Sequence, residues 1–144
     1  MIAEIVLPAD IRYLHLASLT ALKVAEIFAD SLKTAKGSAE FCHAFELSVT
    51  EAFANAVNYS KDTAPENMVH ITYSSEGKNL TVSVSDNNQP FDPDTPAPDI
   101  STYPDKGFGL LLIHRLMDSV SYTREHGINL ISMTKQATAP EHLK

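Results

Sequence analysis

The chain has 144 residues, is 44% hydrophobic and carries a formal net charge of −7, so it is expected to build one small domain with no room for a separate sensor or dimerisation domain. That acidic balance argues against nucleic acid as a direct partner, because phosphate backbones are held by clustered Lys and Arg. The single cysteine, Cys42, excludes an internal disulfide; no apolar run is long enough to span a bilayer and Met1 to Pro8 lacks the basic start of a signal peptide, so the expected location is the cytoplasm.

Ile2 to Leu7 reads as a first strand closed by Pro8. From Leu14 to Leu32 apolar residues recur at helical intervals through Leu16, Leu19, Leu22, Val24, Ile27 and Phe28, which predicts a helix that stops before Gly37. Ser38 is placed to cap a second helix, with Phe41, Phe45, Val49, Ala52 and Ala56 on its inner face. Met68 to Ser74 and Leu80 to Asp86 predict a hairpin around Gly77, and Val120 to Arg124 with Ile128 to Lys135 a second around Gly127. Gly107 and Gly109 are expected to open a third helix, along which Leu111, Leu112, Leu116, Met117 and Val120 return at helical spacing. The predicted architecture is an α+β, two-layer α/β sandwich: a mixed, mostly antiparallel sheet with three helices on one face.

Three clusters carry chemistry. Glu51 and Asn55 lie four residues apart on the second helix, so a carboxylate and an amide project from one face. The carboxylate can accept a proton from an attacking hydroxyl, and the amide oxygen is a hard ligand suited to Mg²⁺ on phosphates. Asp86 closes a strand in which Leu80, Val82 and Val84 alternate with Thr81, Ser83 and Ser85, so a fixed acceptor stands where the chain turns into a loop. It can take a hydrogen bond from the exocyclic amine of adenine, a donor guanine lacks at that position. Gly107 and Gly109 allow backbone amides to approach a phosphate at the positive end of a helix.

The segment from Asn87 to Lys106, with Pro90, Pro93, Pro96, Pro98 and Pro104, has no apolar period and is expected to be a lid over a nucleotide. Lys106 either reaches the phosphates or is a solvated lysine before the helix. Asn58, on the stripe of Glu51 and Asn55, reads as a metal outer-shell group or a helix-end polar residue. The six histidines show no ligand spacing. The domain is expected to cover 1–136, with a frayed tail over 137–144.

Glu51-x-x-x-Asn55, then Asp86-x-x-x-Pro90-Phe91, then Gly107-x-Gly109-Leu110-x-Leu112-Ile113 together resemble the histidine-kinase-like ATPases of the gyrase, chaperone, histidine kinase and MutL type. Within that group Leu7 to Asp10, Pro90 to Pro93, Leu112 to Asp118 and Gly127 to Lys135 are similar to the anti-sigma factor serine/threonine kinases, across nearly the whole chain. The resemblance implies Glu51 as general base, Asn55 as the Mg²⁺ ligand and Asp86 as the adenine acceptor. Asn88, Lys106, Gly107, Phe108, Gly109 and Leu110 would complete the ATP site. One position departs from the family: Asn88 stands where glycine is usual, and asparagine can take the left-handed turn conformation while its side chain approaches the base.

The function so implied is an anti-sigma regulator that binds Mg·ATP, sequesters a sigma factor and phosphorylates a serine on an anti-sigma antagonist. Sigma factors have basic surfaces, which suits an acidic antagonist. A homodimer is implied by the resemblance alone. The alternative is a sequestering module with or without nucleotide and without kinase activity; intact Glu51 favours the kinase, whereas Asn88 and the short lid suit the module. A third reading, the ATPase domain of a larger sensor kinase, is opposed by the anti-sigma-like ends of the chain.

Overall fold

The computed structural model describes residues 1–32, 38–58, 67–86 and 104–137. In chain order they form β1 (Ala3–Pro8), a one-turn 3-10 helix (Ile11–Tyr13), α1 (Leu14–Ser31), α2 (Ser38–Asn58), β2 (Met68–Glu76), β3 (Asn79–Asp86), α3 (Pro104–Leu116), β4 (Ser119–Glu125) and β5 (Ile128–Gln136). The strands make one five-stranded sheet in the order β1-β2-β3-β5-β4. All its ladders are antiparallel, where a mixed sheet was expected. The connections explain this. Apart from the one-turn 3-10 helix that leads into α1, two elements, α1 with α2 or α3 with β4, intervene between β1 and β2 and between β3 and β5, so each returning strand runs opposite to its neighbour. The other two ladders are tight hairpins.

Those hairpins use the turns that match strand twist. The β2–β3 loop has a positive φ only at Gly77 (61°), the first central residue, as a type II′ turn needs. In the β4–β5 loop both His126 (φ 53°) and Gly127 (φ 79°) are left-handed, the type I′ pattern.

The strands' period-2 alternation divides the sheet into two faces. Val69, Ile71 and Tyr73 of β2, Leu80, Val82 and Val84 of β3 and Met133 of β5 are buried in the core with the helices. The other face is lined by hydroxyls, with Thr81 bonded to Thr134 at 2.7 Å and Ser83 to Ser132 at 2.9 Å across the β3–β5 ladder.

The buried side of α1 is not the leucine stripe. Ala17, Ala21, Ala25 and Ala29 are completely or almost completely buried, whereas Leu16, Leu19 and Ile27 are exposed. Alanines at i, i+4 spacing form most of the buried stripe, joined by Val24 and Phe28, whereas Leu16, Leu19 and Ile27 point outward. On α2 the expected inner residues Phe41, Phe45, Val49, Ala52 and Ala56 are all buried. Phe41 stacks on Phe28 of α1 at 6.1 Å between centroids and meets Phe45 edge-on at 5.0 Å, pairs worth about 1 kcal/mol each beyond their buried area.

Several boundaries differ from the sequence expectation; α3 ends at Leu116, so Val120, expected on its apolar stripe, lies in β4. α3 begins at Pro104 rather than at the glycines, since proline's fixed φ and missing N–H suit the first helical position. Ala137, expected to start a frayed tail, is buried, and its N–H donates to the Lys78 carbonyl at 2.9 Å, which ties the end of β5 to the β2–β3 turn. Residues 138–144 lie outside the described residues, as do 87–103 of the expected lid. At the other end of α3, Lys135 Nζ donates to the Leu116 carbonyl at 2.8 Å, satisfying an orphan acceptor of the helix C-terminus. No described helix is long and apolar enough to cross a membrane.

Candidate functional site

Glu51 and Asn55 lie in the last two turns of α2, on a half-buried stripe beside the fully buried Ala52, Phe53 and Ala56. The buried stripe anchors the helix, so Glu51 and Asn55 are held on its adjoining side. Asn58 is exposed as the last residue of α2.

Facing Glu51 is α3. Gly109 is buried one turn into that helix, and its Cα lies directly beneath the Glu51 carboxylate: a Cβ there would collide with Oε1 and stand 3.3 Å from Cδ and 3.7 Å from Cβ of Glu51. Gly109 therefore leaves the space that the carboxylate fills. Since α3 starts at Pro104, Gly109 is a helical residue, and the amides left over by the α3 ladder belong to its first turn, at Asp105, Lys106 and Gly107. The backbone of Lys106, Gly107 and Phe108 is helical, and the side chains of Lys106 and Phe108 lie outside the described residues. Leu110 follows Gly109 in α3 and is half-buried.

Asp86 ends β3 on the helix-facing side of the sheet. Its register row runs Leu7, Val69, Asp86, Asn129, Arg124 across the strands. Leu7 and Val69 are the buried apolar half of that row, and Asn129 is buried beside Asp86. Asn129 Nδ2 donates to Asp86 Oδ1 at 3.0 Å, and the Tyr122 hydroxyl donates to Asn129 Oδ1 at 2.9 Å. Arg124 closes the row on β4, its Nη1 buried without a hydrogen-bond partner among the described residues. Asn88 lies outside the described residues.

Glu51 is thus brought to α3, with Asn55 one turn along α2, while Asp86 is held at the end of β3 by a polar pair from β4 and β5. Sequence reasoning missed Asn129 and Tyr122 as members of this arrangement. The signal available was an amide at an inward-facing strand position, in phase with Ile131 and Met133.

A family model described as the histidine kinase-like ATPase domain matches residues 15–135, which takes in every element from α1 to β5. The chain belongs to this family. A relative named serine-protein kinase RsbW from Staphylococcus aureus is 31% identical over 146 residues, covering 92% of this chain and 84% of the relative. The protein of the same name from Oceanobacillus iheyensis is 26% identical over 147 residues, covering 96% and 88%. Among solved structures, the histidine kinase domain of the Erythrobacter litoralis EL346 blue-light activated histidine kinase superposes with a TM-score of 0.54 at 21% identity, over 67% of this chain and 45% of that one. The structural likeness supports the ATPase fold, and membership implies ATP as its nucleotide.

The donor set fits that nucleotide with a divalent cation. Asn55 offers a hard carbonyl oxygen, the first turn of α3 offers backbone amides for phosphate oxygens, and Asp86 offers an acceptor for an amine. The missing side chain at Gly109 keeps the Glu51 carboxylate against the helix that supplies those amides.

Proposed function

We propose that this chain is an anti-sigma regulatory kinase of the cytoplasm. It binds ATP, sequesters a sigma factor, and transfers the γ-phosphoryl group to a serine on an anti-sigma antagonist. The observation that carries the reading is the packing of the Glu51 carboxylate on Gly109 of α3, which sets the candidate base against the helix whose opening amides have no partner within the helix. The names of the relatives, serine-protein kinase RsbW, support the serine as acceptor.

Within this reading, Asp86 selects adenine through its exocyclic amine and the amides of Lys106 and Gly107 take phosphate oxygens. Asn55 is the protein ligand of Mg²⁺, which when bound neutralises charge on the phosphates. Glu51 accepts the proton of the serine hydroxyl as that oxygen bonds to the γ-phosphorus. The bond from phosphorus to the β–γ bridging oxygen breaks, and ADP leaves.

The test pairs a radiolabelled-ATP transfer assay on candidate antagonists with capture of bound sigma factor from the same preparation. Label on an antagonist serine, lost in Asp86→Asn and weakened in Asn55→Ala with a steeper Mg²⁺ requirement, is the expected result. Capture of a sigma factor without labelling of any antagonist would instead establish sequestration alone.

A further inference from the structure

An asparagine at 5% exposure is an anomaly in a register row whose other inward residues on β1 and β2 are Leu7 and Val69. A sheet built only to pack would carry an aliphatic side chain there, since a buried amide is tolerated only when its groups are hydrogen-bonded. Asn129 meets that condition in one direction. Its Oδ1 accepts from the Tyr122 hydroxyl at 2.9 Å and its Nδ2 donates to Asp86 Oδ1 at 3.0 Å. The order of the chain is set by its ends. Asp86 Oδ1 is the acceptor, so the amide presents nitrogen to it and oxygen to Tyr122, and the Tyr122 hydroxyl donates. Register makes this possible: Asn129 is the direct partner of Asp86 across the β3–β5 ladder, and Tyr122 is its diagonal neighbour on β4, where Arg124 is the direct one.

We infer that Tyr122 and Asn129 are positioning residues for base recognition, a two-residue relay that fixes the plane of the Asp86 carboxylate and thereby sets how strongly the site selects a base bearing an exocyclic amine. The inference rests on the reading of Asp86 as the adenine acceptor. A hydrogen bond to one carboxylate oxygen restricts the last torsion of the side chain before a base docks, which lowers the ordering cost of binding. With Oδ1 held from the side by Asn129, the carboxylate is aligned beforehand. Tyr122, which is half-exposed on the edge strand β4, acts on the base through its bond to Asn129.

The experiment compares binding of ATP with binding of purine riboside triphosphate, which has the same sugar and phosphates but no exocyclic amine. Calorimetry is run on the full chain and on Asp86→Asn, Asn129→Ala, Tyr122→Phe and the double variant Tyr122→Phe/Asn129→Ala. The wild type is expected to prefer ATP by about 10-fold to 100-fold, the range of one hydrogen bond to a charged group. Tyr122→Phe and Asn129→Ala should each cut that preference by about 3-fold or more, with the double variant no worse than Asn129→Ala alone, while affinity for the amine-free nucleotide stays constant. Loss of packing would weaken both nucleotides together and leave their ratio unchanged, so an unchanged ratio in both single variants overturns the relay. If the wild type itself does not distinguish the two nucleotides, the Asp86 assignment fails and the relay with it. A ratio that collapses in Asp86→Asn and holds in the other variants removes the relay alone.

Discussion

Gly109 and Glu51 occupy one space: the carboxylate of α2 fills the volume that any side chain at position 109 of α3 would need. Glycine inside a helix is ordinarily unfavourable by about 1 kcal/mol relative to alanine. Its presence in the second turn of α3 is explained by the carboxylate above it and not by the helix itself.

Stability and activity should therefore move in opposite directions in Gly109→Ala. The added methyl favours the helix, and the atom it meets first is the far end of a flexible side chain, so the fold absorbs it by rotating Glu51 away. The melting temperature should hold or rise while phosphoryl transfer falls by at least about 10-fold, the scale of a misplaced base. In a Glu51→Ala background the same substitution should leave activity unaltered. A Gly109→Ala protein with full transfer activity would separate the two residues.

The alanine stripe of α1 makes a second prediction. Ala21 is fully buried where α1 approaches α2, so Ala21→Leu has to force the helices apart or strain its rotamer. Destabilisation of about 1–3 kcal/mol is expected by urea titration. Leu19→Ala, on the exposed side of the same helix, should change stability by less than about 0.5 kcal/mol.

These two positions also mark where the sequence is legible. The strands were readable because Leu80, Val82 and Val84 alternate with hydroxyl residues, and a period of 2 admits one buried face. The extent of α1 was equally readable, yet its inner face only in part: Val24 and Phe28 of the apolar stripe are buried, but hydropathy weights Leu16, Leu19 and Ile27 above the alanines that actually pack. Closeness of approach between helices depends on side-chain volume, and size opposes hydropathy there. For the site, Glu51 and Asn55 share a helix and Asp86 ends an alternating strand, so local periodicity sufficed to nominate them. The Asn129–Asp86 bond joins residues 43 positions apart through a strand order that only the folded sheet fixes. Likewise the α3 glycines were nominated as backbone donors, and the role of Gly109 as the seat of Glu51 depends on a contact between two helices.

Cys42 supplies a chemical probe of the α1–α2 packing. It is buried, and that burial, reinforced by the charges of Glu26 and Asp30, pushes its thiol up to about 11. Iodoacetamide at pH 8 should modify the native protein far more slowly than the protein in urea. Because the folded state raises this pKa above the ordinary value of 9.0, it holds the thiol proton more tightly than the unfolded chain does. The resulting stabilisation is fully present below about pH 9 and is lost as pH rises towards 11. Cys42→Ala should flatten the alkaline limb of a stability profile measured by denaturant titration. Rapid alkylation of the native state would show that α1 and α2 separate readily.

Glu51→Gln tests the proposed chemistry most directly. Glutamine keeps the length of glutamate and a similar helix propensity, and position 51 is only half-buried, so α2 and its contact with Gly109 should survive. An amide cannot accept the serine proton at neutral pH, whereas nucleotide affinity, assigned to Asn55, Asp86 and the first turn of α3, does not require a base. Transfer to the antagonist should fall by about two to four orders of magnitude with ATP and sigma-factor binding intact. A Glu51→Gln protein would accordingly hold its sigma factor and leave the antagonist unphosphorylated. The measurement is the transfer assay at saturating ATP beside calorimetric binding of ATP to the same preparation. Undiminished transfer would remove Glu51 as the base, and parallel loss of transfer and ATP binding would make it a structural element of the nucleotide site.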